Sequence, residues 1–176
     1  MVGPGDFMPT QGGDDDLHGG LRIASGRDWP GVRQFNVFVE NRVGGLAFVV
    51  RHFETTDVRI VSMSIVDTAD CAIIRLVLSD AGRAREILEQ AGLMFAESDL
   101  LVVRIPEVTQ PMLQICKCLL EAEVSIHYAY PMLVGPSGNA ALALHVEEHE
   151  QAAKQLLSKG FVLYSDLDFE GSDFLS

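Results

Sequence analysis

Asn41-Arg42-Val43-Gly44-Gly45-Leu46-Ala47-Phe48-Val49-Val50-Arg51-His52-Phe53 is the stretch on which the reading of this chain turns. Before it, from Arg33 to Glu40, Phe35, Val37 and Val39 alternate with Gln34, Asn36 and Glu40, and Phe38 is the one departure from period two. After the two glycines the period changes. Leu46, Val49, Val50 and Phe53 fall at i, i+3, i+4 and i+7, one apolar stripe of a helix. The stretch therefore reads strand, tight turn, helix. Glycine at the joint permits positive φ and close approach to the backbone. The first amides of a helix lack partners within it and favour an anion, so this joint is a candidate seat for a carboxylate or phosphate. The plain alternative is a glycine that only satisfies the turn.

Outward from that joint the chain repeats. Val58–Val66 places Val61, Met63 and Ile65 on one face. Cys71–Leu78 follows the turn 67–70 and alternates through Ala72, Ile74, Leu76 and Leu78. Ser79 and Asp80 offer capping side chains, and Ala84, Ile87, Leu88 and Ala91 form the next helical stripe, ended by Gly92. Leu93–Glu97 reads as a short closing strand. The order β-α-β-β-α-β then recurs in Asp99–Ile105, a helix with the stripe Met112, Ile115, Cys116 and Leu119, Val124–Tyr130, a strand from Ala140 to Val146, a helix through His149, Ala152, Ala153 and Leu156, and Phe161–Ser165. An offset of about 66 residues superposes the halves, growing by two before the last helix. Each half is a split βαβ unit with two helices on one face of an antiparallel sheet. Right-handed crossovers give the strand order 4-1-3-2.

The fold class expected is thus α+β: two ferredoxin-like βαββαβ units in tandem, with sheets paired side by side and helices on one face. The boundaries read as 1–32 for an N-terminal tail, 33–97 and 98–166 for the two units, and 167–176 for an acidic C-terminal tail. The first tail is rich in glycine and carries Asp14-Asp15-Asp16, with Trp29 available to anchor it. Pairing of Val58–Val66 against Val124–Tyr130 would hide two apolar edges in one eight-stranded sheet. The face without helices, where Cys71, Ile73 and Val77 alternate with the core set, would then call for a homodimer.

The turn Asn41-Arg42-Val43-Gly44-Gly45-Leu46, opening a βαββαβ unit, resembles that of the ACT domain, although Val43 stands where that family usually has proline. Two such units in one short chain are similar to small stand-alone tandem ACT proteins. The resemblance implies a non-catalytic regulatory protein that binds an amino acid or another small metabolite and acts through an oligomer or a partner, such as a biosynthetic enzyme or regulator. It implies a ligand between paired units. Here that means Asn41, Arg42, Val43, Gly44, Gly45 and Leu46 facing Ser125, Ile126, His127 and Tyr128. The matching turn of the second unit, Glu107 to Met112, has Gln110 where the first has Gly44.

Composition narrows the remaining classes. A formal net charge of −12 opposes a nucleic-acid surface, which needs clustered Lys and Arg, and opposes an anionic membrane face. No apolar run reaches the length of a membrane span, and three cysteines without framework spacing fit a reducing, cytoplasmic setting. His145-Val146-Glu147-Glu148-His149 has the spacing of an inverted zinc motif, but its histidines fall in a strand and the following helix rather than on one helical face, so no metal is expected. Cys116 is read as part of the stripe on its helix and Cys118 as facing away. No glycine-rich nucleotide loop with its lysine and no nucleophile in a catalytic setting occur, and no cofactor is expected. Asn41 and Arg42 are adjacent in one turn, which is not the arrangement of an acylphosphatase-like hydrolase. The other class that remains is a protein-interaction module using the same fold without a ligand.

Overall fold

A computed structural model describes residues 27–68 and 71–170. In chain order the elements are β1 (Val32–Glu40), α1 (Gly45–Val50) running into a 3-10 turn (Arg51–Phe53), β2 (Ile60–Asp67), β3 (Cys71–Leu78), α2 (Ala81–Gln90) and β4 (Phe95–Arg104). Then come α3 (Pro111–Glu121), β5 (Ile126–Pro131), a 3-10 turn (Pro136–Gly138), β6 (Ala141–Val146), α4 (His149–Ser158), β7 (Leu163–Tyr164) and α5 (Asp166–Phe169). Asp80 caps α2 by accepting a hydrogen bond from the Arg83 amide at 2.8 Å. Gly92 and Gly160 follow α2 and α4 with φ of 65° and 81°.

The strands form one seven-stranded antiparallel sheet in the order β2-β3-β1-β4-β6-β5, with β7 also on β4. Each unit has the expected 4-1-3-2 order: β4-β1-β3-β2 in the first and β7-β4-β6-β5 in the second. The sheet has seven strands, not eight, because Leu93–Glu97 and Asp99–Ile105 are not separate strands. Ser98 pairs with Gln34 in extended backbone, so Phe95–Arg104 is continuous. Its first part pairs with β1 and its last four residues with β6. The boundary placed between residues 97 and 98 therefore lies inside a strand that both units use.

The register also moves the insertion between the two halves. Phe35 pairs with Leu76 in the first unit, and Leu101 with Leu144 in the second, offsets of 66 and 68. The two extra residues thus precede β6, in the β5–β6 connection, rather than the last helix. A shift of two preserves strand alternation, which is why the sequence pattern reads equally well either way.

On β4 the odd-numbered side chains face helices in both units. Phe95 packs on the cluster of Phe35, Val37, Val49, Phe53, Ile74, Leu76 and Leu88, while Leu101 and Val103 join Ile115, Leu119, Leu142, Leu144 and Leu156. Helices do therefore lie on one face of a continuous sheet. The other face is turned inward: Val32, Val61, Val77, Leu100, Val102, Tyr130, Met132, Ala141, Ala143 and Phe169 form a third buried cluster without residues of α1 to α4. Strands far apart in the sheet order meet across it. Gln34 of β1 donates to the Tyr128 hydroxyl of β5 at 2.8 Å, and Arg75 of β3 lies 3.7 Å over the Tyr128 ring. The sheet is coiled so that its helix-free face encloses a core.

Coiling revises two expectations. The sequence predicts a seam along Val58–Val66 and Val124–Tyr130, but the units are joined through β4. The two end strands meet where the Leu133 and Val134 amides, just past β5, donate to the Val61 carbonyl, where the Ser62 hydroxyl donates to the Pro131 carbonyl at 2.7 Å, and where Val61 packs in one cluster with Tyr130 and Met132. The helix-free face, expected to need a second copy, is covered around Val77 by the chain's own second unit.

The ends of the described chain are packed. Trp29 stacks on His149 with centroids 5.0 Å apart, and Arg27 pairs with Asp99 at 2.9 Å. Residues 1–26, including Asp14-Asp15-Asp16, lie outside the described residues, as do 171–176. The stretch expected as an acidic tail from 167 begins inside α5, whose Phe169 is buried at 1% exposure against Tyr164. Ser165 and Asp168 form a capping box there.

Candidate functional site

The first turn has the backbone that its glycines suggest. Gly44 caps α1 with φ of 88°, and a Cβ built there would meet nothing within 4 Å. The Gly45 amide donates to the Arg42 carbonyl and the Phe48 amide to the Gly44 carbonyl. No side chain caps the helix, which leaves the Leu46 and Ala47 amides as its unengaged leading donors. Beside them is a cavity of about 460 Å³, lined by Val39 to Arg42, Gly44 to Ala47, Ile65, Asp67, Ala72 and Ile74. Asn41 is held by Asp67 and the Thr68 carbonyl, at 2.6 and 3.0 Å. Arg42 is exposed and pairs loosely with Glu40 at 3.7 Å, and Val43 projects wholly into solvent.

The second turn differs. Gln110 caps α3 with φ of −134° and no side-chain hydrogen bond, and Pro111 supplies no amide. A smaller cavity of about 260 Å³ lies beside it, between Arg104, Glu107, Gln114 and Lys159.

The two halves of the expected site are not brought together within the chain. No residue from 125 to 128 lines the cavity at the first turn. Ser125, Ile126 and His127 are exposed at the start of β5. Tyr128 instead points into the space between the units. There Gln34, with 0% exposure, shares the two hydrogens of its amide nitrogen among Asn36 Oδ1, Ser98 Oγ and the Tyr128 hydroxyl, and accepts from the Tyr130 hydroxyl. Burial raises the Tyr130 hydroxyl pKa, with the Tyr128 hydroxyl adding to the shift. Tyr128 also stacks on His145 at 4.7 Å. Gln34, Asn36, Arg75 and Ser98 were not singled out by sequence. Their signal was polar side chains at alternate positions on the helix-free faces of β1, β3 and β4, a pattern that reads equally as a solvated face.

His145 and His149 both donate to the Asp99 carbonyl, at 3.2 and 2.8 Å, with rings 5.3 Å apart. This shared acceptor accounts for the H-x-x-E-H spacing. Among the described residues no group of three His, Cys, Asp or Glu side chains is placed to hold a metal. Burial lowers the His145 pKa, and His149, His127 and Arg75 add to that against the opposing bond to Asp99. Asp166 is pushed up by burial, although it accepts from the Arg33 amide at 2.7 Å. The α3 stripe is Ile115, Cys118, Leu119 and Ala122, so Cys118 is buried and Cys116 exposed, the reverse of the sequence expectation. Both stripes share Ile115 and Leu119, and packing against α4 selects between them.

Two βαββαβ units on one sheet, with helices outside and a glycine turn opening the first, define a duplicated ferredoxin-like protein. The sequence pattern described as "ACT domain pair" matches residues 31–170, and the chain belongs to that family. No curated protein sequence matches. The fold is similar to that of a protein from Bacteroides thetaiotaomicron, with a TM-score of 0.72, 20% identity, and coverage of 81% of this chain and 98% of that one. It is also similar to the ligand-free regulatory subunit of aspartate kinase from Thermus thermophilus, with a TM-score of 0.50, 9% identity, and coverage of 76% and 95%. Among the described residues no helix is long and apolar enough to cross a membrane.

Proposed function

We propose that this chain is a non-catalytic regulatory protein that binds an amino acid at its first turn and passes the event to a partner enzyme or regulator. The observation that carries the reading is the uncapped, glycine-opened start of α1 beside a 460 Å³ cavity, in a chain of the ACT domain pair family. The ligand carboxylate sits on the Leu46 and Ala47 amides, where the open side of Gly44 allows close approach. Asn41, Arg42, Gly45 and Leu46 frame it, with Val43 turned to solvent, and Asp67, beside Asn41, faces the ammonium. Ser125, Ile126 and His127, exposed at the start of β5, contribute only from a second copy, while Tyr128 is held between the units of its own chain and is not part of this site. A homodimer suits that requirement, and Phe38, Val66, Ile73 and Met94, the last 73% exposed, leave one end of the inner sheet face for it. Three free cysteines suit a reducing, cytoplasmic setting.

The test is a melting panel of amino acids with the full chain. One class of amino acid raises the melting temperature, and Gly44→Gln removes the rise while the protein stays folded. Silence across the panel, in melting and in calorimetry, overturns the reading. A second reading, an interaction module without ligand, draws on the apolar groove of about 680 Å³ between α1, the start of β2 and Val134. It predicts that silence.

A further inference from the structure

The contact between the units holds a cation that no carboxylate meets among the described residues. Arg75 is half-buried on the inner face of β3, beside Asn36 in the sheet register. The other partly buried arginines are paired: Arg27 with Asp99 and Asp166, Arg33 with Glu97 and Asp99. Arg75 has no ion pair and no hydrogen bond among the described residues, and its Nε is fully buried without a partner. Its near neighbour is the Tyr128 ring, 3.7 Å below the guanidinium, and that ring is backed by His145. The stack offers the cation a π face but leaves its planar edge unengaged.

The polar atoms around it are engaged with one another. Gln34 Oε1 accepts from Tyr130, and Asn36 Oδ1 accepts from Gln34. The Asn36 amide is used on Ser98 and the Ala96 carbonyl. Ser98 Oγ accepts from both Gln34 and Asn36, and the Tyr128 hydroxyl accepts from Gln34. Of these groups, Arg75 Nε is the one left buried without a partner. Buried or half-buried donors are normally satisfied. The Arg75 guanidinium lacks, among the described residues, an acceptor carrying negative charge.

We infer that Arg75, with Asn36, Ser98 and Tyr128, forms a second binding site, distinct from the first turn, for a small monocarboxylate. One cation without a second basic group matches a single negative charge. The stacked guanidinium presents a planar fork suited to the two oxygens of a carboxylate. Asn36, Arg75 and Ser98 belong to strands of the first unit's sheet and Tyr128 to the second unit, so an occupant bridges them. The site makes no use of the glycine turn, and its test is independent of that reading.

The probe is acetate, titrated into the isotope-labelled full chain at constant ionic strength and followed by NMR. The expected result is a saturating shift of the Arg75 Nε–H resonance together with the Ser98 and Tyr128 amides. It is weakened at least tenfold in Arg75→Gln and severalfold in Tyr128→Phe, and unchanged in Gly44→Gln. Without acetate, Arg75→Gln melts no lower than the parent, since it removes an uncompensated cation. Shifts that grow linearly, that chloride reproduces, or that persist in Arg75→Gln overturn the site. Loss of the response in Gly44→Gln alone overturns it too, by assigning the carboxylate to the first turn.

Discussion

The two units share a fold but differ on the faces they turn to each other. Register places Ser62 and Ser64 of β2 opposite Val77 and Arg75, and Tyr128 and Tyr130 of β5 opposite His145 and Ala143. By the same correspondence Gln34 of the first unit answers to Leu100 of the second. Large side chains of one unit thus stand where the other has small ones. The tyrosines of β5 reach across to Gln34 and Arg75, while the serines of β2 leave room at the closing edge. A duplicated sheet can pack on itself only when the copies stop being alike at the contact. The helix-side positions, which meet no other copy, stay alike: Leu76 and Leu144 are both buried, as are Leu88 and Leu156.

The largest expected effect tests whether the units are separable. Leu76→Ala and Leu144→Ala should each cost about 2 to 5 kcal/mol, the usual range for a buried leucine. Because β4 serves both sheets, each variant should lose secondary and tertiary signals in one coincident transition. Two resolved transitions in denaturant would break the picture of a single cooperative body.

Next comes the difference between the two turns. A saturating amino acid at about 100 times its dissociation constant adds about 2.7 kcal/mol, a rise of roughly 5 to 10 °C in a chain of this size. Gly44→Gln should abolish the rise and lower the unliganded stability by about 1 to 2 kcal/mol, because a side chain is placed at positive φ. Pro111→Ala, in the second turn, should leave the ligand response intact. Equal responses lost from both turns would mean two equivalent sites.

The interface itself gives a third contrast. Gln34→Leu copies the second unit's residue into the first and leaves the buried Tyr130 hydroxyl without its acceptor, at a cost of about 1 to 3 kcal/mol. Adding Tyr130→Phe should recover part of that loss, and additive costs in denaturant melts would show that the two groups are not coupled.

The smallest effect is a pH dependence located in the second unit. His145 has its pKa lowered on folding, chiefly by burial, so the unfolded chain binds the proton more readily. Its contribution is therefore present above the ordinary histidine value of about 6.5 and is lost as pH falls through the lowered one. His145→Gln should flatten the decline in melting temperature on that acid side by a degree or two. Val77, its counterpart in the first unit, cannot titrate. An unchanged slope would move the effect to Glu97, whose pKa the Arg85 hydrogen bond lowers, and whose contribution is likewise lost on acidification.

Element type and order were legible because alternation and helical stripes mark which face is buried, and both recur. Ile74, Leu76 and Leu78 announce a strand whether the offset is 66 or 68. Parity therefore revealed the repeat and at the same time hid the place of the insertion. The continuity of β4 was hidden by its polar middle, Glu97-Ser98-Asp99, which reads as a turn until the partners Arg33, Arg85 and Gln34 are in view. The glycine turn was visible since Gly44 requires a backbone that other residues avoid. Arg75 was not, because an arginine on an alternating strand reads as solvated, and only the fold shows that a tyrosine 53 positions later lies beneath it.

The shared strand also orders events during synthesis. The first sheet can complete the pairing of β1 with β4 only after residue 100 has left the ribosome, since Val37 pairs with Phe95 and Val32 with Leu100. By then the strand that opens the second unit has all but emerged as well. At about 5 to 20 residues per second, the nascent chain spends several seconds with β1 lacking this neighbour. The closing partners, Tyr128 and Tyr130, arrive later still. A chain stalled before residue 95 would present an open strand edge to whatever is nearby, so the interval before β4 emerges is when this protein has most need of a chaperone.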